Sequence, residues 1–134
     1  MNSSVGHLQF NIDLQNLPYY KDLFTFLGWA TWHEDPGMLG IGTEKGTSLW
    51  FSAAVPEFHN DHDGQGMNHL GISVETQADV DETVAYLKEH GIAALFETPR
   101  HRAEFSSPGQ TYYQVMFETP DRLLIEVVYT GPAA

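Results

Sequence analysis

Two histidines stand in matching local settings, and one glutamate interrupts an apolar run. The segment Gly6-His7-Leu8-Gln9-Phe10-Asn11-Ile12 resembles Asn68-His69-Leu70-Gly71-Ile72-Ser73-Val74. His7 precedes Gly28 by 21 residues and His69 precedes Gly91 by 22. Glu126 lies inside Leu123-Leu124-Ile125-Glu126-Val127-Val128-Tyr129. Two neutral imidazoles and one carboxylate can fill one face of an octahedron, leaving three positions for a chelating substrate, water or dioxygen. His7, His69 and Glu126 are therefore candidate ligands for one divalent ion: Fe, Mn, Ni, Co or Zn. A divalent ion on a single carboxylate keeps a local positive excess and acts as a Lewis acid on a substrate oxygen.

The competing reading is plain. A lone strand histidine is more often a hydrogen-bonded core residue than a ligand, and Glu126 alone could be an exposed edge residue. Repeat equivalence of the two histidines weighs against this. So does a carboxylate among apolar neighbours, which is costly to bury without a partner.

Periodicity supplies the elements that would position these residues. His7, Gln9 and Asn11 alternate with Leu8, Phe10 and Ile12, a half-buried strand. Asn16-Leu17-Pro18 starts a helix, with Leu17, Tyr20, Phe24 and Leu27 at helical spacing and Gly28 at its end. Strands are expected over Ala30–His33, Leu39–Gly42 and Ser48–Ser52. The second half repeats this order. His69, Gly71 and Ser73 alternate with Leu70, Ile72 and Val74. A helix follows, N-capped by Asp79 with Glu82 three positions on, and with Val80, Val84 and Leu87 as its stripe. Strands are expected over Ala93–Phe96, Thr111–Phe117 and Leu123–Tyr129, the last two joined by the turn Thr119-Pro120-Asp121-Arg122. The expectation is an α+β fold: one domain, 1–134, of two βαβββ modules, 5–56 and 67–130, joined by the loop 57–66. Their curved mixed sheets would surround a shared cavity. Gln9, Asn11, Trp50 and Ser73 would line it, and Tyr112 or Tyr113 could hydrogen-bond a substrate oxygen.

Bulk composition narrows the partners. Of 134 residues, 42% are hydrophobic, enough for a globular core. There are no cysteines, so thiolate ligands, cysteine nucleophiles and disulfides are excluded. Eighteen acidic residues against six basic give a net charge of −12, which disfavours nucleic acid and anionic membranes. Met1-Asn2-Ser3-Ser4 lacks a signal pattern, and no run is long enough to span a membrane, so a cytoplasmic protein is expected.

With this pattern in view, the chain resembles the vicinal oxygen chelate superfamily, the glyoxalase/bleomycin-resistance/dioxygenase group, along nearly its whole length. The resemblance rests on Gly6-His7-Leu8, on Tyr20 to Leu27 with Gly28-Trp29, and on Asn68-His69-Leu70-Gly71-Ile72. Tyr112-Tyr113 through Thr119-Pro120-Asp121-Arg122 to Leu124-Ile125-Glu126 completes it. The turn departs from the usual Asp-Pro-Asp-Gly at Thr119 and Arg122. The resemblance implies metal ligands at His7, His69 and Glu126, a homodimer, and a small organic substrate with oxygen donors. Glyoxalase I enzymes usually hold a fourth ligand, Glu or Gln, near Trp50, and Leu49-Trp50-Phe51 offers none. The remaining set is similar to that of extradiol dioxygenases and fosfomycin-resistance thiol transferases. The basic residues that the latter carry after the last strand are missing beyond Arg122.

Two functions therefore stand open. One is a metal-dependent enzyme of dioxygenase or lyase/isomerase type. The other is a metal-free binder of the bleomycin-resistance type, in which Trp32, Trp50, Tyr112 and Tyr113 would matter more than the histidines. The segment His59-Asn60-Asp61-His62-Asp63 reads as a solvated loop or lid, with a second metal site as the alternative. Arg100-His101-Arg102 is the only basic cluster; it reads as a surface loop, or as a guide for an anionic ligand.

Overall fold

The structure is a computed structural model and describes residues 1–133; Ala134, the end of the expected 1–134 domain, lies outside them. The chain forms two compact units, Met1–His59 and the part from Asn60 onward. The division falls within the expected loop 57–66.

The first unit contains β1 (His7–Ile12), a short 3-10 turn (Leu14–Asn16), α1 (Leu17–Phe26), β2 (Ala30–Asp35), β3 (Met38–Gly42) and β4 (Ser48–Ala53). The strand order is β1-β4-β3-β2, with β1 parallel to β4 and the other pairs antiparallel. Asp13 accepts the Gln15 N–H at 3.0 Å and starts the 3-10 turn, and Pro18 sits in the first turn of α1, where its missing N–H costs nothing. Gly28, at φ +90°, ends the helix in a conformation that suits glycine. Tyr20, Leu23 and Phe24 of α1 are buried. Phe51 is the ring they close upon: Tyr20 stacks on it at 4.4 Å between centroids, Phe10 at 5.3 Å, and Phe24 tilts against it at 6.0 Å. Alternation does the rest. In β1, Phe10 and Ile12 are buried toward the helix, while His7, Gln9 and Asn11 are exposed.

The second unit repeats the plan with β5 (Leu70–Ser73), α2 (Gln77–Glu89), β6 (Leu95–His101), a 3-10 turn (Ala103–Phe105), β7 (Gln110–Glu118) and β8 (Leu124–Pro132). The order is β5-β8-β7-β6, with β5 parallel to β8. The α+β fold of two βαβββ modules expected from sequence is the fold observed. Among the described residues no helix is long and apolar enough to cross a membrane.

Three local expectations are corrected. The cap of α2 is Thr76, not Asp79: the Thr76 hydroxyl accepts the Asp79 N–H at 3.1 Å, and Asp79 Oδ2 accepts the Thr76 N–H at 3.0 Å. The capping box lies three residues earlier because threonine and Asp79 satisfy each other reciprocally. In the α2 stripe Val84 is only half-buried, and Thr83 is buried between Val80 and Leu87, its hydroxyl donating to the Asp79 carbonyl at 2.8 Å. The strand expected at Ala93–Phe96 begins at Leu95 and runs to His101. Thr98-Pro99 reads as a breaker, yet β6 is an edge strand with a register break between Leu95 and Arg100, where proline is tolerated.

The β7–β8 turn is tied by Thr119, whose hydroxyl accepts from the Leu123 N–H at 3.1 Å. Arg122 closes it at φ +61°, a left-handed conformation that costs a side-chain-bearing residue about 1 kcal/mol or more. Its side-chain ion pair with Glu118, at 3.5 Å, is half exposed and adds little. Arg122→Gly should therefore stabilise the fold by roughly 0.5–1 kcal/mol, raising Tm by about 2–4 °C in a thermal melt. An unchanged or lowered Tm would mean the ion pair outweighs the backbone strain.

Candidate functional site

The centre of the second unit is a buried carboxylate. Glu126 is 4% exposed, in a strand buried on both sides from Leu124 to Val128. Register fixes what surrounds it. Glu126 lies opposite Gly71 on β5 and Met116 on β7. A Cβ added at Gly71 would sit 3.5 Å from Glu126 Oε1, so the missing side chain leaves the carboxylate uncrowded from that strand.

Two neutral donors from β7 hold the carboxylate. The Tyr112 hydroxyl donates to Oε1 at 2.9 Å, and the Gln114 amide donates to Oε2. Arg102 Nε donates in turn to Gln114 Oε1 at 2.9 Å, which fixes the amide with its NH2 toward Glu126. Burial pushes the Tyr112 phenol up to about 12, helped by its bond to Glu126 and by the carboxylate charge. Tyr112 therefore remains an O–H donor at neutral pH.

His69 directly precedes β5 and brings Nε2 to 3.7 Å from Glu126 Oε1. Its tautomer follows from its neighbours. Asn68 Nδ2 donates to the His62 carbonyl at 3.2 Å, so Asn68 Oδ1 is an acceptor, and it lies 2.7 Å from His69 Nδ1. The proton of the neutral ring is thus on Nδ1, and the Nε2 lone pair faces the carboxylate. In that tautomer two acceptors face each other across 3.7 Å. That separation is less than the sum of one metal–nitrogen and one metal–oxygen bond, about 4.2 Å, so a single cation can touch both atoms. One imidazole nitrogen and one carboxylate oxygen are donors of the kind a divalent ion takes, and Asn68, Tyr112 and Gln114 orient these two side chains.

The remaining sequence candidates separate by unit and by face. His7, Gln9 and Asn11 lie on the open face of the first sheet, in register with Ser48, Trp50 and Ser52 of β4. Gln9 Nε2 donates to Ser52 Oγ at 2.9 Å, and half-buried Trp50 donates from Nε1 to Ser48 Oγ at 3.0 Å. Ser73 is exposed on the same strand face as Gly71. Tyr113 alternates away from Tyr112 and donates to Asp81 of α2 at 2.7 Å; it does not share the face of Glu126. Among the described residues no group of three His, Asp or Glu side chains stands together as a metal cluster. His69 and Glu126 form the pair that is brought together.

The expectation of a solvated loop holds for His59 and fails for His62. His62 is 6% exposed, and its Nε2 is 2.8 Å from Glu118 Oε2. Asn60 Nδ2 donates to the Arg122 carbonyl at 2.8 Å. This loop is packed on the β7–β8 turn and supports Asn68. Sequence reading missed Asn68, Gln114 and Arg102 as partners of the pair. The available signal was Gln114, an amide next to the apolar run Val115-Met116-Phe117 and two residues from Tyr112.

The model of the Glyoxalase/Bleomycin resistance protein/Dioxygenase superfamily matches residues 16–127. The chain is 30% identical over 109 residues to the uncharacterized protein YqjT of Bacillus subtilis (strain 168), covering 81% of this chain and 77% of that protein. Among solved structures it is similar to a "putative glyoxalase" from Bacillus halodurans, with TM-score 0.79 and 25% identity over 93% of this chain and 94% of that one. A glyoxalase/dioxygenase from Nostoc punctiforme shares the fold, with TM-score 0.73 and 21% identity over 96% of this chain and 91% of that one.

The alkaline limb tests the site's hydrogen bonds. Burial, followed by the bond to Asp81, also pushes Tyr113 up to about 12. A phenol whose folded pKa is raised contributes stability that is complete below pH ~10 and is lost as pH rises from there through about 12. Ultraviolet titration should show Tyr112 and Tyr113 among the late-ionising tyrosines, with one fewer ionising late in Tyr112→Phe. Ionisation of all six near pH 10 would contradict the arrangement.

Proposed function

The chain belongs to the Glyoxalase/Bleomycin resistance protein/Dioxygenase superfamily, and from that premise we propose a metal-dependent enzyme whose divalent ion is held by His69, Glu126 and His7. The observation that carries this reading is the acceptor pair His69 Nε2 and Glu126 Oε1 at 3.7 Å, with the histidine tautomer set by Asn68. His7 is the third ligand of the proposal because it holds, at the start of β1, the place that His69 holds before β5.

Bound there, the metal would supply Lewis acidity to adjacent oxygens of a small organic substrate and offset the negative charge that develops on them. The chain's own part is positioning. Asn68 sets the proton of the neutral His69 ring on Nδ1. Gln114 and Tyr112 donate to the two carboxylate oxygens within an apolar strand, and Tyr112 keeps a proton that a substrate oxygen near Oε1 can share. The metal identity and the choice between dioxygenase and lyase/isomerase chemistry follow from which ion is found. In a chain of net charge −12, the ion would also be the local attraction for an anionic oxygen.

A metal-free binder is the second reading. It is favoured by one observation: Tyr112 and Gln114 already satisfy Glu126 without a metal.

Elemental analysis and metal titration decide between them. Protein purified without chelator, or reconstituted, should hold about one divalent ion per chain. His69→Ala and Glu126→Gln should each weaken binding by more than the ~10–100-fold that loss of a supporting partner costs, and Asn68→Ala by about that amount. Equal metal content in wild type and His69→Ala would remove the assignment. No metal after reconstitution would give the binder reading first place.

A further inference from the structure

The open face of the first sheet carries a second cluster of chemically able side chains. β3 presents two glycines to this face, and each is covered by an indole. A Cβ at Gly40 would lie 2.3 Å from the Trp50 ring, and one at Gly42 would lie 2.3 Å from the Trp32 ring. Gly40 and Gly42 have the same parity, so the two indoles lie on the same face. Strict alternation would place Trp32 and His33 on opposite faces. The register of β2 against β3 slips between Thr31 and His33, and this bulge puts both on one face. The His33 ring lies 6.2 Å from the Trp50 ring between centroids.

His33 is not a lone imidazole. Its Nε2 is 2.7 Å from Asp35 Oδ2, and the other carboxylate oxygen, Oδ1, accepts the Gly37 N–H at 2.8 Å. The Gly37 N–H, with the bond to His33, holds the Asp35 carboxyl below its usual range. An anionic Asp35 accepts a hydrogen bond from Nε2–H, which leaves the Nδ1 lone pair as the basic nitrogen of the ring. His7 of β1 is the titratable side chain that shares this face, at the register of Ser48 on β4. Glu34 pairs with Lys21 of α1 at 2.7 Å, and the paired segments of β3 and β4 contain no titratable side chain. Trp32 is 52% exposed although its ring has a built seat over Gly42.

We infer that His33, oriented by Asp35, is a proton acceptor for a flat ring bearing one acidic hydroxyl or ring N–H, which stacks on Trp50 and Trp32. The occupant follows from what the face offers: two π surfaces, a base beside them, and the amide side chains of Gln9 and Asn11 in neighbouring register. The ring's O–H or N–H bond breaks, its proton moves to His33 Nδ1, and the electron pair stays on the ring anion. The anion and the imidazolium are then held as a pair beside Asp35. The step needs no metal, so this inference stands apart from the His69–Glu126 reading.

The test uses the full chain, treated with chelator, and 4-nitrophenol, whose visible band reports ionisation and whose binding quenches tryptophan. Bound probe should be ionised to a greater extent than free probe at the same pH. His33→Gln should lower that ionisation about tenfold while leaving quenching-detected affinity within about threefold. Asp35→Asn, which keeps the Gly37 contact, should lower it in the same direction, and Trp50→Leu should weaken binding itself by about tenfold. Ionisation that survives both His33→Gln and Asp35→Asn would overturn the assignment, as would no binding by the wild-type chain. Because chelator is present throughout, failure of the metal reading leaves these outcomes unchanged.

Discussion

A carboxylate inside an apolar strand is the constraint on which the second unit depends. Leaving Glu126 unpaired among Leu124, Ile125, Val127 and Val128 would cost several kcal/mol, so the neighbouring strands are obliged to answer it. β7 answers with Tyr112 and Gln114, two residues apart and so of the same parity, which brings both to the same face. β5 answers with Gly71, which leaves room, and with His69 at its start. The loop before β5 answers indirectly, since His62 anchors on Glu118 and presents the carbonyl that orients Asn68. Tyr112 and Gln114 satisfy the two carboxylate oxygens and Asn68 bridges the His62 carbonyl and His69 Nδ1, so that in the Nδ1–H tautomer two acceptors face each other at His69 and Glu126. A polar network in a dry strand layer is satisfied everywhere or it destabilises. The acceptor–acceptor gap between His69 and Glu126 is the observation on which the metal proposal rests.

The first unit is organised by a different necessity. Its helix face is filled by rings closing on Phe51, and its opposite face is kept open by small residues. Gly40 and Gly42 are required because indoles occupy the volume their side chains would take. The bulge at Trp32 is the device that brings an indole and an imidazole to one face, at the cost of one ladder position. The two units thus repeat one βαβββ plan and load it differently: a buried anion with a histidine in one, aromatic platforms with an Asp–His pair in the other.

Much of this was legible in the sequence because burial imposes periodicity. The alternation in His7–Ile12, the helix start at Pro18 and the glycines at positions 28 and 91 all report backbone requirements that no partner can override. Glu126 was visible for the same reason, as a charge where only apolar residues fit. What was not legible depended on contacts across strands. The continuation of β6 through Pro99 and the roles of Gln114 and Asn68 are set by edge position or by a partner elsewhere in the chain, whereas the Thr76 cap is local, answered by Asp79 three residues on. His62 reads as a polar loop residue until Glu118, far along the chain, is seen beside it. The choice between Tyr112 and Tyr113 is likewise a matter of strand parity, which fixes that they differ but not which one meets Glu126.

The central claim is that His69 offers an unprotonated Nε2 to a cation shared with Glu126. Nitrogen-15 NMR of the His69 imidazole reads this directly. The account predicts a proton on Nδ1 and none on Nε2 in metal-free protein, and a shift of the Nε2 resonance that saturates at one equivalent of Zn(II). A proton resident on Nε2, or an Nε2 resonance indifferent to Zn(II), would contradict it.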